Sequence, residues 1–329
     1  MCDISIIVPV YNHEKYIEQA IQSILMQKVK LSYEVLIGED CSTDKSREVL
    51  KKIEPNLPKN FHIYYRNHNF GAKKNINDLY SKMKGRYFIV LEGDDFWNYE
   101  YKLQKQYDFL ENNKDYIAVA HRTQVVGKSG EKLNFEYPEC HHNIYREIDF
   151  LNGKMAGQTA TILCRNYISL KLFDFNVNVG EYKAGDRVKL FLLFSHGKIK
   201  CIQKKWSSYR YVLAGGSSYC ATHIYKKDEF IPYYRGIYKY CVSHKDIDIK
   251  ITKTIEKVYL WELFKLSIRK KSYDYKNEFI TIFKKSNNKS GAIMYCFYKC
   301  VKYPVTLIES YKMKKQNLKI IKKQKEEKL

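Results

Sequence analysis

The stretch that decides the fold is "ISIIVPVYNHEKYIEQAIQSIL", residues 4–25. It opens with a run at 4–10 that is rich in Ile and Val and continues with apolar residues at helical spacing: Ile17, Ala20, Ile21, Ile24 and Leu25. A run dominated by β-branched residues is typical of a strand buried on both faces, and spacings of three and four residues indicate a helix with one apolar face. The stretch therefore predicts a strand followed by the helix that covers it.

The same alternation continues along the chain. Strands are predicted at 33–38, 61–65 and 87–91, with helices near 43–53 and 72–83 between them. Because parallel strands need right-handed crossover connections, this order predicts an α/β fold with a mostly parallel, Rossmann-like sheet flanked by helices. In such sheets ligands bind at the carboxyl ends of the strands, where the charged segments of this chain fall.

The second half of the chain is more mixed. We expect a helix at 101–113, strands near 116–126, 159–164 and 199–212, and a helix that ends at Gly197. After residue 224 the pattern is helical, rich in Tyr and Lys, with no further strand series. The length of 329 residues suits a catalytic-sized domain with an appended helical region.

Positive charge is concentrated in that last region. The net charge is +22, and residues 225–329 carry +15 of it, from 26 Lys and Arg against 11 Asp and Glu. Such a block suits nucleic acid, an anionic membrane surface or a solvated face. The segment at 291–311 is apolar and aromatic but interrupted by Lys299, Lys302 and Pro304, which favours a helix lying on a membrane surface or packed on the protein. The amino-terminal segment has no secretory pattern, so we expect a cytoplasmic protein, with peripheral attachment to the cytosolic membrane face as one option.

Three carboxylates crowd into "LEGDDFW", residues 91–97: Glu92, Asp94 and Asp95. Two such charges about 4 Å apart repel by roughly 4 kcal/mol at an effective dielectric of 20. A divalent cation with oxygen ligands, Mg²⁺ or Mn²⁺, relieves this repulsion and usually completes its shell with substrate phosphates. A turn would use Gly93 and one Asp and leave two carboxylates unexplained, so the motif favours a metal and a nucleotide-diphosphate ligand.

A second acidic segment, "GEDCSTD" at 38–44, follows the second predicted strand. Its Ser-Thr pair and Asp44 suit a helix N-terminus, which leaves Glu39 and Asp40 without that explanation. The sequence contains neither G-x-x-x-x-G-K-[ST] nor G-x-G-x-x-G, so P-loop and dinucleotide-binding proteins are not favoured.

Taken together, these segments resemble family-2 glycosyltransferases of the GT-A fold. The resemblance rests on "SIIVPVYNHEKYIEQAIQSILMQ", "EDCSTDKS", "NFGAKKNIN" and "LEGDDFW" followed by "KLQKQYDFLE", over roughly residues 3–113. A looser likeness extends to about residue 218. It implies a catalytic domain at 1–224, with a nucleotide-sugar half at about 1–113 and an acceptor half at about 114–224, followed by the helical region 225–329.

The resemblance also implies roles for particular residues. Asp94 would bind the metal, Glu92 would lie toward the ribose or the metal, and Asp95 would be a second ligand or a support. Asp40 would bind the nucleobase and Glu39 would lie near the ribose, while Asp186 matches the general base. The remaining residues of the expected donor pocket are Pro9, Val10, Tyr11, Asn12, Asn69, Gly71, Asn75 and Gly93. This chain has Glu39 and Glu92 where Asp is commoner and Cys41 where Gly is commoner. Glutamate is one methylene longer than aspartate, which does not favour direct metal contact by Glu92.

Two of these assignments have a second reading. Arg210 could bind the diphosphate, because a guanidinium suits phosphate oxygens, or could have a structural role. Asp186 could simply stabilise a helix N-terminus by roughly 1 kcal/mol, in which case Glu181 is the alternative base.

The expected function is transfer of a sugar, with inversion, from a nucleotide-diphosphate sugar to the hydroxyl of a saccharide or lipid-linked saccharide in bacterial cell-envelope synthesis. Two alternatives stay open at this point. A nucleotidyltransferase can share such a sheet, although "VPVYNHEKY" lacks the Gly-rich phosphate loop. A nucleic-acid-binding protein has only the basic last third in its favour. The sequence leaves open the sugar, the nucleotide, the acceptor and the oligomeric state.

Overall fold

The computed structural model describes residues 2–166, 185–212, 230–244 and 246–326. The chain divides into two compact units, the first made of residues 1–173 and 196–223 and the second of residues 174–195 and 224–329. The domain boundaries predicted from the sequence stay predictions, although residues 174–195 group with the second unit.

The first unit begins with alternating strands and helices. Strands β1 (Ile4–Val10), β2 (Tyr33–Glu39), β3 (Phe61–Tyr65) and β4 (Tyr87–Val90) are separated by helices α1 (Ile17–Leu25), α2 (Ser46–Ile53) and α3 (Ala72–Lys82). Strand β1 pairs in parallel with both β2 and β4, and β2 pairs in parallel with β3. The four predicted strands and their parallel pairing are therefore confirmed.

The sheet is completed by later elements: β5 (Phe96–Trp97), α4 (Lys102–Asn112), β6 (Tyr116–Val126), α5 (Glu147–Leu151), β7 (Leu163–Arg165) and β8 (Lys198–Arg210). The described strands form one eight-stranded sheet in the order β3-β2-β1-β4-β7-β6-β8-β5. Strand β7 is antiparallel to β4 and β6, whereas β6 and β8 are parallel. The predicted mostly parallel α/β fold is confirmed.

One predicted strand is shorter than expected. Residues Thr159–Thr161 form a 3-10 turn, and the strand begins only at Leu163. The Gln158 side chain accepts a hydrogen bond from the Ala160 amide at 2.7 Å, and the Thr161 hydroxyl donates to the Gln158 carbonyl at 2.7 Å. These local bonds compete with strand pairing, which explains the difference.

The core of the first unit lies between the central strand and α1. Side chains of β1 such as Ile6 and Val8 are fully buried and pack with Ile17, Ile21 and Ile24 of α1. On the other face of the sheet Ile7 of β1 packs with Leu79 of α3, so helices bury both faces of the strand. The apolar run that opens the sequence is thus the centre of the fold.

The second unit is helical. It holds α6 (Gly185–His196) up to Ser195, then α7 (Phe230–Ser243), α8 (Ile249–Lys270), α9 (Tyr273–Lys285) and α10 (Lys289–Glu326). Helix α8 packs against α7, α9 and α10, with Tyr259 and Leu263 at the centre of an apolar cluster. The backbone stays helical through position 304, and within the described ranges no helix is long and apolar enough to cross a membrane.

Candidate active site

The three carboxylates of "EGDD" lie in a tight turn beside the end of β1. The Leu91 amide donates to the Ile7 carbonyl at 2.9 Å and the Gly93 amide to the Pro9 carbonyl at 3.2 Å, so the chain still follows β1 beyond β4. The Asp95 amide then donates to the Glu92 carbonyl at 2.9 Å and closes the turn. The turn therefore lies at the carboxyl ends of two adjacent parallel strands.

Gly93 is required by the close packing of this turn. A Cβ atom at this position would lie 2.6 Å from Nδ1 of His13 and 3.2 Å from a methyl carbon of Ile17. Contacts below 3.0 Å essentially never occur at a real Cβ, so a larger residue would displace the imidazole. Gly93 thus brings the segment after β1 directly against the acidic turn.

Asp95 lies behind the turn and is almost fully buried. One carboxylate oxygen accepts from the Arg210 amide at 2.8 Å and the other from Nε2 of Gln158 at 2.8 Å. Burial, together with the negative charges of Asp94 and Glu92, raises the pKa of Asp95 well above its usual value. Because both oxygens are engaged by the protein, the structure favours the supporting role over direct metal ligation.

Asp94 and Glu92 lie in front of Asp95. The Asp94 side chain is 15% exposed, and one of its oxygens lies 3.9 Å from Nε2 of His13. Glu92 is half-buried and accepts from Nε2 of Gln158 at 3.3 Å. In the part of the chain that the structure describes, no group of three His, Cys, Asp or Glu side chains is arranged to hold a metal ion by itself. One accessible carboxylate with a second nearby fits Mg²⁺ or Mn²⁺ whose remaining ligands are water and substrate phosphates.

Arg210 lies at the end of β8 and holds the turn from the other side. It is 3% exposed, and its Nε donates to the Asp94 carbonyl at 2.9 Å. Its Nη1 donates to the carbonyls of Gly127 and Lys128, and its Nη2 donates to the Gln19 side chain at 2.7 Å. Burial lowers the pKa of Arg210. Four of its five N–H groups are therefore bonded to protein, so binding of diphosphate by Arg210 stays a prediction that this geometry does not favour.

The segments after β1 and β2 are joined by side-chain to backbone hydrogen bonds. The Asn12 amide donates to the Ser42 hydroxyl at 3.0 Å, and the Thr43 amide donates to Oδ1 of Asn12 at 2.8 Å. Asn12 and Cys41 both have left-handed backbone conformations, with φ of 58° and 56°. Pro9, Val10 and Tyr11 lie at the same edge, with Val10 buried and the other two half-buried.

Glu39 is fully buried at the end of β2. One oxygen accepts from the Ser42 amide at 2.6 Å, and the other is paired with the guanidinium of Arg47. Arg47 also donates to the Arg66 carbonyl at 2.5 Å. Glu39 thus fixes the start of α2, and its expected contact with a ribose stays a prediction.

Asp40 and the "NFG" segment form the neighbouring wall. The Phe70 amide donates to Oδ1 of Asp40 at 2.7 Å, and burial raises the pKa of Asp40. The Gly71 amide donates to Oδ1 of the exposed Asn69 at 2.8 Å. Gly71 precedes α3 with a φ of 79°, a conformation that favours glycine. The structure therefore brings Asp40, Asn69 and Gly71 together, as expected for parts of one pocket.

Asn75 lies deeper than a ligand-binding residue would. It is almost fully buried, and its Nδ2 donates to the Gly38 carbonyl at 2.8 Å while its Oδ1 accepts from Nε of Arg66 at 3.1 Å. A Cβ at Gly38 would lie 2.5 Å from Oδ1 of Asn75. Asn75 therefore ties α3 to β2, and its contact with a donor stays a prediction.

Asp186 belongs to the second unit, in the first turn of α6. The Arg187 amide donates to Oδ1 of Asp186 at 2.8 Å. Burial raises the pKa of Asp186, while the Arg187 charge and the backbone N–H groups of Arg187 and Asp186 act in the opposite direction. The alternative base Glu181 lies outside the described residues.

Three residues of this site were missed by the sequence analysis: His13, Arg47 and Gln158. His13 packs on Gly93, Arg47 pairs with Glu39, and Gln158 bonds to both Glu92 and Asp95. Arg47 is eight residues from Glu39 and lies in the helix predicted at 43–53, so the short separation could have indicated this ion pair. Gln158 lies 63 residues from Asp95, and nothing in the local pattern indicates that contact.

Comparison with known proteins identifies the family. The model of glycosyl transferase family 2 matches residues 5–169. The chain is 37% identical to an uncharacterized glycosyltransferase of Haemophilus influenzae over 221 residues. This match covers 62% of the chain and 84% of that relative. The chain belongs to glycosyl transferase family 2, and the resemblance noted in the sequence is confirmed.

Other relatives are matched over shorter shares. A putative teichuronic acid biosynthesis glycosyltransferase of Bacillus subtilis, TuaG, is 36% identical over 107 residues, 32% of this chain and 41% of that protein. The uncharacterized protein Mb1547 of Mycobacterium bovis is 29% identical over 51% of this chain. The chain spans about half of that relative's length, 48%. A crystal structure of S. aureus TarS 1-349 in complex with UDP-GlcNAc has a TM-score of 0.60 at 16% identity, covering 85% of this chain and 79% of that one. That likeness establishes the GT-A fold.

Proposed function

We propose that this protein transfers a sugar from a nucleotide-diphosphate sugar to an acceptor hydroxyl. The observation that carries the proposal is the acidic turn, in which Asp94 remains accessible at the carboxyl ends of β1 and β4 while Asp95 is bonded from behind. Ligands bind at this edge in sheets of this kind. Membership of glycosyl transferase family 2 supports the reaction class and disfavours a nucleotidyltransferase or a nucleic-acid-binding protein.

Asp94, with Glu92 beside it, would hold a divalent cation, Mg²⁺ or Mn²⁺. When bound, that cation neutralises the charge that develops on the departing diphosphate. The protein positions Asp94 through the Arg210 bond to its carbonyl and through Gly93, which packs the turn on His13. Asp40, Asn69 and Gly71 would form the wall that receives the nucleoside. UDP sugars are the first donors to test, because solved TarS structures hold UDP and UDP-GlcNAc.

Asp186 would take the proton of the acceptor hydroxyl as general base. Its position in the first turn of α6 supports this role, since a helix N-terminus favours the ionised carboxylate that a base requires. The acceptor would be a saccharide or a lipid-linked saccharide of the bacterial cell envelope, which the name of the teichuronic acid relative TuaG supports. Attachment to the cytosolic membrane face belongs to the same proposal.

The test is metal-dependent donor binding by Asp94→Asn. We expect that UDP-sugars with Mn²⁺ raise the melting temperature of the parent, because a ligand that binds only the folded state stabilises it. The variant is expected to lose this shift while its own melting temperature and far-UV spectrum stay close to those of the parent. Glu100→Gln, at an exposed carboxylate paired with Lys28, is the matched control and is expected to keep the shift. If Asp94→Asn transferred sugar at the parental rate without added metal, the assignment of Asp94 as the metal-binding residue would be wrong.

A further inference from the structure

Helix α10 exposes a continuous apolar face near its start. Ile293 is 58% exposed, Met294 73%, Phe297 72% and Val301 64%. At about 100° per residue these four side chains fall within one arc of the helix surface. We call this set the apolar stripe. Large apolar side chains that are exposed together mark an interaction surface more often than isolated ones do.

The opposite side of the helix fixes the direction of the stripe. Ala292 and Tyr295 are buried, and α10 packs against α8 within the second unit. At about 100° per residue, the midpoint between these two residues lies roughly half a turn from the middle of the stripe. The helix is therefore already docked on its own unit, and the stripe is the face that this docking leaves exposed.

Basic residues border the stripe at its C-terminal end. Lys302 is exposed and its Nζ lies 5.0 Å from the ring centre of Tyr298, whereas Lys299 lies on the side of the buried Tyr295. Over residues 289–326 the chain has ten Lys against two acidic residues. The described lysines beyond the stripe, at 312, 315, 319 and 322, are exposed. An apolar face with a lysine border is the composition of helices that lie in a membrane interface.

We propose that the apolar stripe inserts into the interface of an anionic phospholipid bilayer and that the lysines of α10 bind its headgroups. A second copy of this chain is a poorer occupant, because a symmetric contact would bring two strongly basic helices together. A bilayer offers an apolar layer for the stripe and negative charge for its border at the same depth. This inference deepens the membrane attachment included in the proposed function, because it names the residues of α10 that would make the contact and the kind of lipid that they would bind.

The experiment is co-sedimentation of the full chain with vesicles of phosphatidylcholine alone or mixed with phosphatidylglycerol. The test variant is Met294→Glu/Phe297→Glu. The matched control is Val242→Glu/Ile268→Glu, which places the same two charges at exposed apolar positions of α7 and α8, 60% and 63% exposed. Far-UV spectra and melting curves establish that each variant is folded. Because no nucleotide sugar is present, failure of sugar transfer and failure of membrane binding are separate outcomes.

We expect the parent and the control to bind mixed vesicles and to bind neutral vesicles weakly. The test variant should partition about tenfold or more weakly, since two apolar side chains are lost from the interface. Raising the salt to about 1 M, where the Debye length is about 3 Å, should release most of the bound parent. Equal binding of the test and control variants, or of the parent to neutral and mixed vesicles, would overturn the proposal. The proposal would also be overturned if sedimentation velocity showed that the parent is an oligomer and the test variant a monomer, while both bind vesicles equally.

Discussion

Replacing Arg210 with methionine separates the two roles open to this residue. Methionine keeps much of the side-chain volume and removes every N–H donor. If Arg210 holds the acidic turn, the variant leaves the carbonyls of Asp94, Gly127 and Lys128 without their charged donor. The Gln19 side chain, on an exposed residue, can bond to water instead. The first unit should therefore be less stable, whether or not a nucleotide sugar is bound.

The magnitude follows from the carbonyls of Asp94 and Lys128, since the Gly127 carbonyl keeps a hydrogen bond from the Gly130 amide at 3.2 Å. A buried acceptor left without a partner costs about 1–3 kcal/mol, and burial of the guanidinium itself, reflected in the lowered pKa of Arg210, is a cost that the variant no longer bears. Breaking a buried charged network typically costs about 3–5 kcal/mol in total. We expect a loss of about that size in the free energy of unfolding.

The assay is urea unfolding followed by far-UV circular dichroism, with Arg86→Met as the matched control. Arg86 is 41% exposed and pairs with Asp3 and Glu111, so its replacement should cost less than about 1 kcal/mol. If Arg210 instead binds the diphosphate, Arg210→Met should unfold like the control and bind the donor much more weakly. That result would refute the structural role of the guanidinium.

Three further outcomes are expected. Gly93→Ala should lower both the melting temperature and the donor affinity, because the added methyl would lie 2.6 Å from Nδ1 of His13. Adding His13→Ala to the same chain should recover part of each loss. If the losses of the two single variants simply add in the double variant, this contact is contradicted. Burial raises the pKa of Glu139 to about 7, so the folded state binds an extra proton between about pH 4.5 and 7 and stability falls as the pH rises through that window. Glu139→Gln should flatten this fall, which amounts to roughly 3 kcal/mol, in urea titrations at several pH values, and an unchanged slope would show that Glu139 titrates normally. Asp186→Asn should reduce turnover by on the order of a hundredfold with donor affinity intact, whereas nearly parental turnover would leave Asp186 a residue of the helix N-terminus.

Local sequence pattern was enough to predict the sheet. Strands β1 to β4 are short runs rich in apolar residues, and α1 carries its apolar residues at helical spacing, so each element could be predicted from a window of a few residues. Their parallel pairing followed from the handedness of crossover connections. The positions of the acidic segments at one edge followed in turn from the pairing.

The partners of the carboxylates could not be predicted in the same way. Asp95 bonds to Gln158 and to the Arg210 amide, 63 and 115 residues away. Contacts at such separations depend on the completed sheet, in which β8 and the turn before β7 return to the end of β4. The sequence identified three unbalanced carboxylates but could not distinguish the accessible Asp94 from the buried Asp95.

Glu39 shows the same limit at shorter range. A glutamate at the end of a strand suggested contact with a ligand, yet its carboxylate is paired with Arg47 in the first turn of α2. Charge near a strand end indicates either a ligand or a local ion pair, and only side-chain geometry separates the two. The position of Arg47, close to Glu39 in the sequence, could have indicated the local ion pair.

The bonds that hold the acidic turn also impose an order on biosynthesis. Arg210 is added 115 residues after Asp95, which at about 5–20 residues per second corresponds to roughly ten seconds of translation. During that interval the nascent chain already contains β1 to β4 and all three carboxylates, but neither the amide nor the guanidinium of Arg210. The geometry of the turn is therefore a late event on the ribosome, and a nascent chain that stalls before β8 carries the acidic motif without the bonds that shape it.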